Sequence, residues 1–478
     1  MTASVFLHRI DTNLIDTGYK YELDDFDWRK RATGCSSFLV GPRQNIAGVA
    51  RTAQAEANMV ENNNSKMTQA RTYQHTPIAL IGGGLTTQVL ALSLVHSGYD
   101  FIWFSGPQDS QTETKDTRTT TIHHAGKMML DALGIWTSLQ EPACPITQIA
   151  VAGTQRATDN NKGWPLCWEQ ADPPMAWVVS NQGLKTACKT EINIQLSKQK
   201  IQPVSIETMT IGQPNFLLDS AGKSWSCDLV IACDGANSLL RKKAGFSVID
   251  QSRNETALVT SVHTERPIGT IAYQRFLPSG PLALMPTSAK TASIVWSLPK
   301  RQAEALTRQD INSFEDNLNA AFGNYLGRLT PASTLLTWHL RPHFSPRISK
   351  PGFILAGDAG HALHPLAGMG FNLALADVAI LLDCLQNAAC SGLTPSHASV
   401  AAAYQSRRKL EILALTFATQ GLNRLLTQKY GPLYQMACIG MSVLGQLPAK
   451  RLLSDLAMGG RLASAPLLSG QLRSSENK

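Results

Sequence analysis

Residues Ile78-Ala79-Leu80-Ile81-Gly82-Gly83-Gly84 decide how the chain is read. Four consecutive apolar residues suit a strand buried on both faces of a parallel sheet, and the three glycines after it make a turn without side chains. Behind the turn, Leu85, Val89 and Leu92, with the small Ala91 and Ser93, fit a packed helix. In such a strand, turn and helix a phosphate can approach free backbone amides at the positive helix end. Alone the pattern is weak, because Thr87 stands at the third glycine position of GxGxxG and a glycine turn that binds nothing reads the same way. A second strand, Phe101-Ile102-Trp103-Phe104, ends on Ser105, where an acid usually bonds the ribose hydroxyls.

Two distant segments repeat the theme. Asp228-Leu229-Val230-Ile231-Ala232-Cys233-Asp234-Gly235 is a buried strand ending in an acid and a glycine, with Arg241 shortly after. Phe353-Ile354-Leu355-Ala356-Gly357-Asp358-Ala359-Gly360-His361 delivers Asp358 from a third strand. His364-Pro365-Leu366-Ala367-Gly368-Met369-Gly370-Phe371-Asn372 then leads a mostly apolar helix over 373–385. Free amides at the start of that helix can face an anionic ring edge. His361 and His364 have no third partner for a metal, and capping or packing is the plainer role for two histidines in a turn. No metal site is expected.

In this order and at these separations, the segments resemble the FAD-dependent aromatic hydroxylases, the class A flavoprotein monooxygenases, over roughly residues 76–460. Several strings resemble the ubiquinone-biosynthesis hydroxylases in particular. They are Asp116-Thr117-Arg118 before a helix ending Leu133-Gly134-Ile135-Trp136, the run from Arg275 to Pro286, Val295-Trp296-Ser297-Leu298, and above all the run from His364 through Leu373. The resemblance implies an α/β fold: a Rossmann-like FAD-binding domain interwoven with a mixed-sheet substrate domain, plus C-terminal helices. The expected division is FAD-binding segments at 76–150, 226–250 and 346–390, mixed segments at 151–225, an antiparallel substrate sheet at 251–345 that roofs the flavin, and a helical region at 391–478.

Carried over residue by residue, the resemblance puts Gly82 and Gly84 at the FAD pyrophosphate and Arg118 along the cofactor. Asp234 and Gly235 serve FAD and the nicotinamide donor. Gly357 is a further cofactor-binding residue, Asp358 bonds the ribityl chain, and the backbone around Gly368, Gly370 and Asn372 cradles the pyrimidine edge. Gly280, Pro281, His364 and Pro365 are the expected cavity walls. Met369, Ala374 and Ala376 depart from the residues usual in the family. No side chain is assigned a catalytic role, because in this chemistry the flavin does the work. NAD(P)H or a protein relay is the implied electron source, and a flavin hydroperoxide attacks an electron-rich ring. The implied substrate is a lipid-soluble polyprenylated phenol or quinone precursor, handled within a quinone-biosynthesis complex. Hydroxylation of another aromatic compound, or a non-catalytic FAD-fold subunit, fits the same strings.

Composition bounds these readings. The chain has 478 residues, 43% hydrophobic and 16% charged, enough to bury a sizeable core in two or three units. Nine scattered cysteines without a CxxC pair fit free thiols in a reducing compartment. Of the net charge of +8, residues 401–478 carry +7, so the excess belongs to the C-terminal segment. No nucleic-acid motif accompanies it, and no nucleic-acid partner is expected. Between Lys429 and Lys450 the chain is uncharged but broken by Pro432, Pro448 and three glycines, which favours a helix on a membrane surface or a core hairpin over a spanning helix. The expected location is the cytoplasm, with peripheral contact at the inner face of the membrane. Residues 1–70 balance eight basic against eight acidic residues, show no signal-peptide pattern, and read as an extension dispensable for the chemistry.

Overall fold

A computed structural model describes residues 73–107, 116–153, 164, 166–170, 172–427 and 465–472. The readings made for residues 1–70 and 430–449 lie outside the described residues.

The strand that holds Ile78 to Ile81 covers Gln74–Ile81 and lies at the centre of the first sheet. It pairs in parallel with Ser224–Ala232 on one side and with Ile102–Phe104 on the other, and Ser224–Ala232 pairs in parallel with Phe353–Leu355. Ile78, Ala79 and Leu80 are wholly buried, as are Val230, Ile231 and Phe353 to Leu355. The registers Ile81 opposite Ala232 and Ala232 opposite Leu355 end three distant segments at one level of the sheet. Everything that follows those strands therefore meets at one edge, the position where open α/β sheets take ligands.

Eight strands form a second large sheet. Its centre is a meander of Ile271–Leu277, Gly280–Ser288, Thr291–Pro299 and Glu255–Thr264, all antiparallel. Period-two alternation sorts the side chains. Leu258, Leu282, Leu284, Ile294, Trp296 and Leu298 face a core closed by Ala303, Phe314, Leu318 and Phe322 of the helices Lys300–Thr307 and Ile311–Phe322. Burying each large side chain there contributes roughly 1.5–3 kcal/mol. On the other face, Ala283, Met285 and Val295 line a cleft. The sheet is not purely antiparallel: Ile271–Leu277 pairs in parallel with Gln148–Ala152, which in turn carries Leu166–Glu169. Strands earlier in the chain thus complete the roof, because the open edge of Ile271–Leu277 needs a hydrogen-bonding partner.

The helix expected over 373–385 spans Met369–Cys390. It starts at Gly368, in the left-handed region, and continues through Ala388 and Ala389 because nothing in that stretch breaks it. It is long and apolar enough to cross a membrane, but most of it is buried inside the protein, packed against the helices Leu85–His96 and Ala398–Leu426. It is a core helix.

Candidate functional site

The edge shared by the three parallel strands opens into a cleft of about 1020 Å³, roofed by the second sheet. Gly83 and Gly84 line its floor, whereas Gly82 does not. Gly82 has φ +143°, and a Cβ there would run into the carbonyl of Cys233. Its role is close packing of the turn on the neighbouring strand, aided by a 2.7 Å bond from Trp103 Nε1 to its carbonyl. Nothing lies within 4 Å of where a Gly84 Cβ would stand, and no side chain caps the helix Leu85–His96 that starts behind it. Open backbone and free first-turn amides make an anion cradle. Thr87, the departure from glycine, is fully buried.

The second strand end places Gly235, Ala236 and Asn237 on the cleft. Gly235 has φ +83° and open space around it. Asp234 stays behind the lining: one carboxylate oxygen accepts the Leu240 N–H at 3.2 Å, and the other is buried without a partner. Arg241 ties this segment to the third strand end, bonding the carbonyls of Ala236 (2.9 Å) and Ala359 (2.6 Å).

Asp358 sits in the short turn Gly357–Ala359 and its side chain opens into the cleft. The protein mass around it pushes its carboxyl above the ordinary range; nearby Asp377 adds to this, while His361 and His343 oppose it. Across the cleft, Gly368 and Gly370 begin the long helix. Gly368 is required on two counts, φ +63° and the Thr121 side chain 2.7 Å from where its Cβ would be, whereas Gly370 has open space. The side chain of Asn372, whose backbone is expected near the cofactor edge, is turned to the protein. Its Nδ2 donates to the carbonyls of Thr121 (2.7 Å) and Gly368 (3.0 Å), and its Oδ1 accepts the His123 N–H (2.9 Å).

Arg118 lines the mouth. Asp116 grips it with two bonds, 2.8 Å from Nε and 2.9 Å from Nη2, and also receives Lys185 Nζ at 3.0 Å. These cations, Arg118 first, hold the Asp116 carboxyl well below the usual range. The guanidinium stacks 4.5 Å from the Trp338 ring.

Of the expected cavity walls, Pro365 lines the cleft and the other three do not. Gly280 and Pro281 stand at the hairpin opposite Leu277 and Phe276, and Gly280 packs against the carbonyl of Ser297. His364 is buried with Nε2 3.3 Å from the Glu255 carboxylate, out of line for a hydrogen bond. His361 bonds Asp377 at 2.7 Å. The sequence reading missed Lys185, Asn181, Trp338 and Arg341, which also line the cleft. They belong to no glycine motif, and only the tertiary arrangement brings them to the site.

Residues 75–410 match the family model described as the FAD binding domain. The chain belongs to that family. The glycine cradle, the open Asp358 carboxylate and the free helix end are donors and acceptors that suit such a cofactor. The chain of this FAD-binding protein is 28% identical over 388 residues to ubiquinone hydroxylase UbiL of Rhodospirillum rubrum, covering 80% of this chain and 89% of that one. It is 29% identical over 345 residues to 3-demethoxyubiquinol 3-hydroxylase of Escherichia coli, covering 70% and 86%. In fold it is similar to p-nitrophenol 4-monooxygenase PnpA of Pseudomonas putida, with a TM-score of 0.64 at 14% identity, covering 82% and 99%.

Proposed function

We propose that this FAD-binding protein is a monooxygenase that hydroxylates the aromatic ring of a polyprenylated phenol or quinone precursor in ubiquinone biosynthesis. The carrying observation is the single cleft in which a phosphate cradle, an open carboxylate and a helix amino end from three segments face an apolar roof. The names of the two ubiquinone-pathway relatives support the substrate class.

FAD, when bound, supplies electron transfer and oxygen activation. The protein binds, orients and excludes water. The amides at Gly83 and Gly84 would receive the pyrophosphate, Arg118 would lie along the cofactor, and Gly235 would let backbone approach. Asp358 would accept from the ribityl hydroxyls. The amides around Gly368 and Gly370, at a positive helix end, would stabilise negative charge on the ring edge. Ala283, Met285 and Val295 above, with Leu363, Pro365 and Phe371 opposite, give the substrate ring an apolar, dry position. NAD(P)H or a protein relay supplies electrons. The basic C-terminal segment suits peripheral contact with a membrane or with a complex that holds a lipid-soluble substrate.

The test is to purify the protein, record its flavin absorption, and supply a short-chain prenylated phenol with NAD(P)H and oxygen. Expected are a yellow protein and a product heavier by one oxygen atom. A colourless protein that takes up no added FAD would sink the reading.

A further inference from the structure

Behind the cleft, outside its lining, two side chains and a backbone N–H meet at one carboxylate. Asp377 is wholly buried, as is Arg408, and they join at 2.6 Å between Oδ1 and Nε. The other oxygen of Asp377 accepts the Gly357 N–H at 2.7 Å and His361 Nε2 at 2.7 Å. Arg408 also donates to the carbonyl of Leu373 at 2.9 Å and to Glu411. A fully buried ion pair is a poor source of net stability, since desolvating both charges costs about what their attraction returns. Its geometry is better explained by what it holds. Gly357 and His361 bracket the turn that carries Asp358, and Leu373 starts the second turn of the helix opened by Gly368 and Gly370.

We propose that Arg408 and Asp377 are positioning residues for the flavin: acting from outside the cleft, they fix the Asp358 turn relative to the amino end of the helix Met369–Cys390, and so set the spacing between the ribityl and ring-edge contacts. The inference rests on the proposed flavin-binding role of Asp358 and that helix end. A second ion pair joins the same two helices, Arg407 to Asp383 at 2.5 Å, one side chain along and about 9 Å further down the long helix. It supplies a control with the same residue types in a less buried setting.

The experiment measures the FAD dissociation constant, the flavin midpoint potential and apoprotein thermal stability for Arg408→Lys, Asp377→Asn, Arg407→Lys and Asp358→Ala. Asp377→Asn weakens the contact to the turn directly and Arg408→Lys loosens the carboxylate that makes it, so both should weaken FAD binding about tenfold or more, with a shifted potential. Arg407→Lys should lower thermal stability at most, with FAD binding and potential unchanged. Unchanged FAD binding and potential in both Arg408→Lys and Asp377→Asn, while Asp358→Ala releases FAD, overturns the positioning role and leaves the site reading standing. Full FAD retention by Asp358→Ala overturns the site reading itself. If Arg408→Lys and Asp377→Asn do not fold, His361→Ala decides by the same readouts, since it removes one bond to Asp377 and keeps the ion pair.

Discussion

Asn372 holds the backbone of His123 across 249 residues of chain, its Oδ1 accepting the His123 N–H at 2.9 Å while its amide nitrogen grips Thr121 and Gly368. One side chain thus joins the strand Thr119–His123 to the turn that starts the long helix. Asn372→Ala leaves one donor and two acceptors without these partners and should cost about 2–4 kcal/mol, with weakened FAD binding. Asn372→Asp keeps the acceptor but loses both donated bonds, so it should not restore stability. Urea unfolding of the apoproteins reads this directly, and an undiminished Asn372→Ala midpoint would refute it.

Gly368 and Gly370 should respond differently to the same substitution. Gly368→Ala meets Thr121 and a left-handed backbone, and should cost at least about 1–2 kcal/mol before any cofactor is added. Gly370→Ala has open space and a helical position, so apoprotein stability should hold or rise by up to about 1 kcal/mol. Its methyl group enters the cleft, and FAD affinity should fall. Equal thermal shifts in the two variants would contradict this assignment.

The carboxylate of Asp358 has a different dependence on its chemistry. Asp358→Ala should lower FAD affinity about tenfold or more, while Asp358→Asn, which keeps an acceptor oxygen, should retain much of it. Titration of apoprotein with FAD, followed by flavin fluorescence, separates the two.

Acid should destabilise the fold through His123. Burial lowers its imidazole pKa to about 4 from 6.5. Unfolded chains therefore take up a proton near pH 6.5 that the folded protein refuses until about 4. Stability is complete above pH 6.5 and falls as pH drops through that window, with a slope approaching about 1.4 kcal/mol per pH unit from this group. His123→Gln should flatten the decline. Parallel unfolding curves for the two proteins between pH 6.5 and 4 would rule it out.

By itself the sequence determined the three strand ends, the glycine turns and their order, and with them the α/β fold and the FAD-binding family. Buried parallel strands and side-chain-free turns are local patterns, so Ile78 to Gly84, Phe353 to Asp358 and Gly368 to Gly370 are legible without a partner in view. What each motif residue touches was decided by tertiary structure. Gly82 and Asn372 sit in their motifs yet serve packing, because Cys233 in one case and Thr121, His123 and Gly368 in the other occupy the space beside them. The mouth of the cleft, where Arg118 stacks on Trp338 and shares Asp116 with Lys185, joins residues up to 222 positions apart that carry no common pattern. The same holds for the Asp377 and Arg408 pair: periodicity reports which face of a helix is apolar, but not which buried charge will find another.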